Sequence, residues 1–247
     1  MQAARAENDV VIASIFVNPT QFAPGEDLDK YPRRLDRDSE LLSEAGVDHL
    51  FAPDSDAMYG NNHVTFVTPE GFDDTAEGMA RPGHFRGVAT VVTKLFNIVK
   101  PSNAYFGRKD AAQCVLIKRV VEDLHMDVNV VVKDTVRDAD GLAMSSRNAY
   151  LSLQERRIAP IVYQSLCAAK DLFDKLKEGE NIPAEDLQHI VRSILQSEPL
   201  VSEIQYISVD SKVTMRPVVD QVEQSTGAII SLACKVGSVR LIDNILL

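Results

Sequence analysis

The first half of the chain alternates between continuous apolar runs and stretches in which apolar residues recur every three or four positions. Residues 10–17 and 128–132 are near-continuous apolar runs, typical of strands buried on both faces of a parallel sheet. Residues 86–99 and 111–124 have the apolar spacing of helices. Shorter stretches predict a helix over 38–45, stopped by Gly46, and strands at 47–52, 63–68 and 104–106. This alternation predicts an α/β domain with a doubly wound parallel sheet over residues 1–135.

The pattern changes after about residue 136. Residues 153–177 predict one long amphipathic helix, and Pro183 opens another. Strands are predicted at 203–209, 228–234 and 239–242. We therefore expect a second, smaller α+β domain over residues 136–247.

The start of the chain is unusual for a doubly wound domain. Such domains begin with a strand, a loop and a helix. Residues 2–7 instead look like the last turns of a helix that leads into the apolar run at 10–17. We therefore expect a chain in which the first strand and its loop are missing. A genuine short N-terminal helix is the alternative.

Composition narrows the class of protein. A net charge of −10 argues against non-specific nucleic-acid binding, which needs a basic surface. Three scattered cysteines are typical of reduced thiols in an intracellular protein, and we expect a cytoplasmic location. The five histidines form no zinc-type cluster, and no apolar run approaches the length of a membrane span. We therefore expect small-molecule ligands rather than nucleic acid or membrane.

The segment 140–148 has the chemistry of a polyphosphate clamp. Ser145 and Ser146 offer hydroxyl donors, and the guanidinium of Arg147 matches phosphate oxygens. The alternative is a polar loop that enters a helix, since Ser152 and Glu155 have the spacing of a capping box.

Three further segments carry polar groups at predicted strand-to-helix turns. Asn18 and Gln21 offer amides after the first apolar run, although a polar turn is the simpler reading. Arg81 and His84 place basic groups just before a predicted helix, and helix N-termini are common binding sites for anions. The alternative is a surface loop whose charges are simply solvated.

The last of these segments is 107–110, followed one turn later by Gln113. Gly107 permits a close backbone approach, Lys109 can reach phosphate, and Asp110 is a candidate helix cap. No P-loop or G-x-G-x-x-G motif is present, so side chains and helix ends must hold any phosphate. Since such turns share one edge of a parallel sheet, we expect a site for a nucleotide and a small carboxylate.

Five ordered blocks of the sequence together resemble the pantoate–β-alanine ligase (pantothenate synthetase) family. They are S-I-F-V-N-P-T-Q-F (14–22), R-P-G-H-F-R-G (81–87), F-G-x-K-D (106–110) with Gln113, D-G-L-A-M-S-S-R-N (140–148) and R-L-I-D-N (240–244). The resemblance implies a Rossmann-like, nucleotidylyltransferase-type fold. It also implies ATP-dependent formation of pantothenate through a pantoyl adenylate, with Mg²⁺ as counter-ion and a homodimer as the assembly.

The resemblance also implies roles for individual residues. The catalytic residues would be Lys109, Ser145, Ser146 and Arg147. ATP would contact these four and Gly107, Arg108, Asp110, Val136 and Met144. Pantoate would be held by Gln21 and Gln113, and β-alanine by Gln21. Asn18, Arg81 and His84 would be supporting positions, and no residue is marked as a metal ligand.

The sequence departs from the family pattern in two places. The signature P-T-M-G-x-L-H-x-G-H is absent, which agrees with a missing first strand and predicts impaired activity of this chain. Arg108 replaces the usual glutamate, and Ala111 and Ala112 replace an aromatic residue and a glutamine. Two alternatives stay open: another nucleotidyl-transfer enzyme of the same superfold, or an inactive remnant that binds ATP or dimerises.

Overall fold

A computed structural model describes all residues, 1–247. The first half contains six helices and four strands, together with short 3₁₀ turns at Pro19–Gln21 and Leu28–Lys30. In chain order these are α1 (Gln2–Glu7), β1 (Ile12–Ser14), α2 (Leu35–Glu44), β2 (His49–Phe51), α3 (Ser55–Met58), α4 (Ala76–Ala80), α5 (His84–Val99), β3 (Asn103–Gly107), α6 (Ala111–Asp123) and β4 (Asn129–Lys133). The predicted alternation of strands and helices is confirmed.

The strands of the first half form two parallel pairs. β1 pairs with β2 and β3 pairs with β4, each across a helical connection. The side chain of Asn8, just before β1, links the first strand pair to β3. Its Nδ2 donates to the Tyr105 hydroxyl (2.8 Å), and its Oδ1 accepts from Asn103 Nδ2 (2.8 Å). Mixed α/β architecture with parallel strands is thus confirmed. The strand expected ahead of α1 stays a prediction.

Helices α5 and α6 form the core of the first half. Their apolar positions pack together with β3, and Phe85, Val88, Leu116 and Ile117 are at most 1% exposed. The same helices carry polar residues at their N-terminal ends, beside the ends of β1 and β3. Core packing therefore fixes where those polar side chains lie.

The second half contains three helices and five strands. In chain order these are α7 (Leu153–Ile158), α8 (Ile161–Phe173), β5 (Asn181–Pro183), α9 (Ala184–Gln196), β6 (Val201–Asp210), β7 (Gln221–Glu223), β8 (Ile229–Val236) and β9 (Val239–Leu246). The order of the main antiparallel sheet is β6-β8-β9, and β5 pairs with β7.

The two faces of the β6-β8-β9 sheet have different chemistry. One face packs its apolar side chains against α8 and α9, with Val209, Ile230 and Leu232 at 1% exposure or less. Alternate residues point to the opposite face of a strand. There Ser208, Ser231 and Asn244 lie side by side across the three strands, towards the first half.

Two apolar clusters lie mainly on either side of residue 135. All members of one lie between Leu142 and Leu241, whereas Met215 and Ile229 from the second half join the other. The domain boundary at 135/136 stays a prediction. No helix is long and apolar enough to cross a membrane.

Several predictions of individual elements are wrong. β1 is only three residues long, and Val10 and Ile12 are 58% and 42% exposed rather than buried on both faces. Its one pairing partner is β2, and the open edge leaves its outer positions uncovered.

Residues of β4 are likewise only half-buried or exposed. Residues 63–68 form no strand, because Val67 donates to the Thr90 hydroxyl instead of a neighbouring strand.

The long helix predicted over 153–177 is interrupted. It ends at Ile158 and resumes at Ile161, and Pro160 lies in the break. Proline lacks the N–H that a continuous helix needs and clashes with the preceding turn. The short strands β5 and β7 were not predicted, since three residues are too few to show a period.

We expect Gly78→Ala to destabilise the protein, although alanine usually favours a helix. A Cβ at this position of α4 would lie 2.7 Å from Asp73 Cα and even closer to the Phe72 carbonyl. Overpacking of this kind costs about 1–3 kcal/mol, which should lower Tm by several degrees. Gly60→Ala, whose Cβ would meet nothing nearer than 3.8 Å, is the matched control in thermal denaturation. Equal Tm values for the two variants would contradict the expectation.

Candidate active site

The turn after β1 is fixed by the buried side chain of Asn18. Its Nδ2 donates to Gln21 Oε1 (3.0 Å) and to the Gly87 carbonyl (3.1 Å), and its Oδ1 accepts from the Tyr59 hydroxyl (2.8 Å). Only glycine fits at position 87, since a Cβ would lie 2.5 Å from the Thr20 carbonyl. The turn is therefore pressed onto the start of α5, and Asn18 acts as its internal brace.

Arg81 and His84 join the Gln21 turn from the other side. Arg81 Nη2 (3.2 Å) and His84 Nδ1 (3.0 Å) both donate to the Gln21 carbonyl. Burial, then the charge of Arg81, holds the pKa of His84 below its usual value. The imidazole is therefore neutral near pH 7. Because Nδ1 donates, Nε2 accepts from Arg81 Nη1 (3.2 Å).

The charge of Arg81 is balanced by two carboxylates. Its guanidinium donates to Glu26 through Nε (2.8 Å) and Nη2 (2.7 Å), and it lies 3.5 Å from Glu77. Glu77 also accepts from Arg240 (2.6 Å) and Tyr206 (2.8 Å). Burial acts to raise the pKa of Glu77, but the two arginines and the Tyr206 hydroxyl outweigh it and leave the pKa below its usual value. The sequence indicated basic groups here and gave no sign of these acidic partners.

The segment 107–110 links β3 to α6. Its backbone is held from the second half, where Asn244 Nδ2 donates to the carbonyls of Arg108 (2.9 Å) and Lys109 (2.8 Å). The Arg108 side chain turns away to Asp134 (3.1 Å). Lys109 makes no ion pair and is the segment's available cation. Asp110 occupies the cap position, but its side chain makes no capping hydrogen bond, so that expectation is wrong.

The segment 136–147 forms a tight loop. Met144 N donates to the Val136 carbonyl (3.0 Å), and Ser145 caps the following 3₁₀ turn by accepting from Arg147 N (3.3 Å). Ser146, Met144 and Val136 are exposed at its surface. The expected capping box of Ser152 and Glu155 is present and starts α7.

Arg147 connects this loop to the first half of the chain. Its Nε and Nη2 donate to the two carboxylate oxygens of Asp27 at 2.8 and 2.7 Å. Nearby, the Tyr150 hydroxyl donates to the Lys30 carbonyl (2.6 Å). The loop is therefore closed over the segment that follows the Gln21 turn.

Three adjoining cavities bring the predicted segments together. The first is lined by residues that include His84, Lys109 and Gln113, and the second by residues that include Lys109, Ser145 and Arg147. The third, of about 580 Å³, lies between Arg81 and Arg147. Lys109 is common to the first two and Arg147 to the last two, while Gln21 bonds to Arg81 and His84. The polar segments that lie apart in sequence thus meet in one region between the halves.

The residues missed by sequence reasoning are mostly acidic. They are Glu26, Asp27, Glu77, Asp210 and Asp243, together with Arg240, Tyr206 and Asn244. The block 240–244 carries part of the family resemblance, but nothing in its sequence indicates which residues it contacts. No group of three or more His, Cys, Asp or Glu side chains could hold a metal ion, and metal ligands stay unassigned.

Asp210 is the most perturbed carboxyl in this region. It is 2% exposed, and burial raises its pKa to about 6 although Ser208 donates to it at 2.6 Å. Its Oδ1 has no partner, and neither do Ser231 Oγ and Asn244 Oδ1, which line the same cavity. The ionised form of Asp210 is therefore costly in the folded protein.

Comparison with known proteins identifies close relatives of the chain. The family model described as pantoate-beta-alanine ligase matches residues 1–246. A pantothenate synthetase of Thermodesulfovibrio yellowstonii is 48% identical over 246 residues, which is 100% of this chain and 85% of the relative. One from Pelotomaculum thermopropionicum is 47% identical, with coverage of 100% and 85%.

Solved structures of proteins from the same family are also similar to this chain. The crystal structure of pantothenate synthetase from Thermus thermophilus has a TM-score of 0.91 and 43% identity, covering 99% of this chain and 86% of that one. Pantoate-beta-alanine ligase from Francisella tularensis, complexed with beta-gamma ATP and beta-alanine, has a TM-score of 0.76 and 36% identity, with coverage of 99% and 82%.

We expect Asp210→Asn to stabilise the protein at pH 8 and much less at pH 4. The folded pKa of about 6 lies above the unfolded value of about 3.9, so stability falls as pH rises through this window. The difference between the folded and unfolded pKa values corresponds to a loss of about 3 kcal/mol in the free energy of unfolding, and the uncharged variant should not show this loss. Tm measured from pH 4 to pH 8 checks this, with the exposed Asp127→Asn as control. A constant Tm difference between variant and wild type would refute it.

Proposed function

The chain belongs to the pantoate–β-alanine ligase family, and on that premise we propose that it joins pantoate to β-alanine in an ATP-dependent reaction. The pantoate carboxylate attacks the α-phosphorus of Mg-ATP, which forms pantoyl adenylate and releases pyrophosphate. The amine of β-alanine then attacks the acyl carbon, forming the amide bond of pantothenate and releasing AMP. The observation that carries the proposal is the family match along residues 1–246, joined to the meeting of Lys109, Ser145 and Arg147 around adjoining cavities.

ATP is proposed to bind between the segments 107–110 and 136–147. Lys109, Ser145, Ser146 and Arg147 would stabilise the phosphates as charge develops, while Gly107, Arg108, Asp110, Val136 and Met144 would contact the nucleotide. The Lys109 ammonium group makes no ion pair, so it can bind a phosphate without first breaking a contact with a carboxylate. Since the first step needs little proton transfer, positioning and charge neutralisation would carry it.

Arg147 must change partners for this arrangement to work. Its guanidinium donates to Asp27 at 2.7 and 2.8 Å, and two oxygens of a phosphate group can accept the same pair of hydrogen bonds. Asp27 would therefore hold the guanidinium in place until ATP displaces it. Magnesium enters with ATP as part of the substrate.

Pantoate is proposed to be held by Gln21 and Gln113, with Gln21 also near β-alanine. Support comes from the Gln21 turn, which is braced by Asn18 and bonded to Arg81 and His84. The neutral His84 and the doubly paired Arg81 would act as supports, since their polar groups are already satisfied. The Francisella tularensis relative is complexed with beta-gamma ATP and beta-alanine, which are the kinds of ligand that this region would take.

We further infer the architecture and setting of the protein. Residues 1–135 would be a doubly wound, nucleotidylyltransferase-type domain that binds nucleotide and pantoate, and residues 136–247 would close over the ATP site. The location would be cytoplasmic, and neither nucleic acid nor membrane would be a partner. A net charge of −10 supports the absence of nucleic-acid binding.

The reaction is tested by incubating the protein with ATP, pantoate and β-alanine. We expect pantothenate and AMP in equal amounts, and AMP release that depends on pantoate. Lys109→Ala should lower kcat/KM for ATP by ~10²–10³ because a donor to the developing charge is lost. Lys118→Ala, on the exposed side of α6, is the matched control. ATP turnover without pantoate, or with an amino acid in its place, would overturn the proposal.

A homodimer is also proposed. Exposed apolar side chains around the first strand pair, Val10, Ile12 and Leu50, support an interface in the first half. Light scattering of the eluting protein should give twice the chain mass of 27.2 kDa. A single-chain mass at micromolar concentration would contradict the proposal.

A further inference from the structure

We propose that Asp243 and Asn244 are positioning residues that hold the two phosphate-binding segments at a fixed separation. We call residues 107–110 the lysine loop and residues 136–147 the serine loop. The inference rests on the proposed function, since it assigns both loops to ATP, and it adds a role for a pair of residues that touch neither ATP nor pantoate in that proposal.

Asn244 fixes the lysine loop through its backbone. Asn244 is 4% exposed, and its single side-chain amide nitrogen donates to two consecutive carbonyls, of Arg108 (2.9 Å) and Lys109 (2.8 Å). Both N–H groups are thereby used, and the two peptide planes are set relative to β9. Asn244 therefore orients the backbone of Lys109 and leaves the Lys109 ammonium group free to bind a phosphate.

Asp243 fixes the serine loop through Arg137. The two guanidinium nitrogens of Arg137 donate to the two oxygens of Asp243 at 2.6 and 2.9 Å, and the Asp243 side chain is 2% exposed. Arg137 also donates to the Gly141 carbonyl (3.0 Å) at the tip of the loop and lies 3.6 Å from the Tyr163 ring centre. A planar, bidentate pair in a buried setting specifies orientation as well as distance.

The two contacts leave β9 in opposite directions. Consecutive residues of a strand point to opposite faces, so this strand passes between the loops. β9 is the one element hydrogen-bonded to both of them, and it is itself paired with β8 at Leu232 and Ser231. The spacing between the loops is therefore set by a single residue step of a rigid sheet.

This spacing should matter for the reaction. Phosphate groups would be held by Lys109 on one loop and by Ser145, Ser146 and Arg147 on the other. A displacement of about 1 Å between groups that must converge can cost ~10² in rate. Rigid elements hold such groups better than loops that are fixed only at their ends.

The test compares ATP binding and turnover in Asn244→Ala and wild type. We expect the Kd for ATP, measured by calorimetry without pantoate, to rise about 10-fold or more. We also expect kcat/KM for ATP to fall by up to ~100-fold, while KM for β-alanine changes little. Ile230→Val, a core truncation in β8 that touches neither loop, controls for a general loss of stability. Unchanged ATP affinity in a folded Asn244→Ala would overturn the inference.

A double-mutant cycle separates positioning from mere stability. If Asn244 acts by placing Lys109, then Asn244→Ala should have little further effect on kcat/KM in a Lys109→Ala background. Fully additive losses would overturn the inference.

Asp243→Asn should also weaken ATP binding. If this variant fails to fold, the Asn244 variant decides alone. Wild type that binds ATP but forms no pantothenate would refute the proposed function while leaving the ATP-affinity test of positioning valid. Wild type that binds no ATP would overturn both.

Discussion

Pairing between arginines and buried carboxylates at the junction of the two halves is the constraint on which the site depends. Glu77 illustrates it, because a carboxylate only 9% exposed is shared by Arg81, Arg240 and the Tyr206 hydroxyl. Removing one member of a buried pair leaves an uncompensated charge and costs about 3–5 kcal/mol. The halves therefore cannot shift relative to one another without leaving charges unpaired.

The same pairing decides which cations are available to a ligand. Arg81 is held by two carboxylates and Arg137 by one, so both act as structural charges. Arg147 shares one carboxylate in a partly exposed pair, and Lys109 has none. An anionic substrate would therefore meet Lys109, which has no carboxylate partner, and Arg147, which it can take over from Asp27. This gradation explains how a protein of net charge −10 presents a local site for phosphate.

The elements that could be predicted are those with enough residues to show a period. Helices α5 and α6 were predicted to within two residues because their apolar stripes run for three or more turns. The extent of β1 and the break at Pro160 were not, because pairing partners and a single proline decided them. For the site, the residue types and their order in the motifs indicated Gln21, Lys109, Gln113 and Arg147. Their acidic partners gave no local signal, since isolated glutamates and aspartates are ordinarily solvated.

By itself, the sequence determined the class of fold, the family resemblance and the chemical groups offered to a ligand, because periodicity and motif order are local properties of the chain. Only the tertiary structure decided which charges are neutralised, that Asp210 lies buried beside unpartnered oxygens, and that Asn244 reaches the lysine loop from 135 positions away. Those facts depend on distances between segments remote in sequence, and long-range packing alone sets such distances.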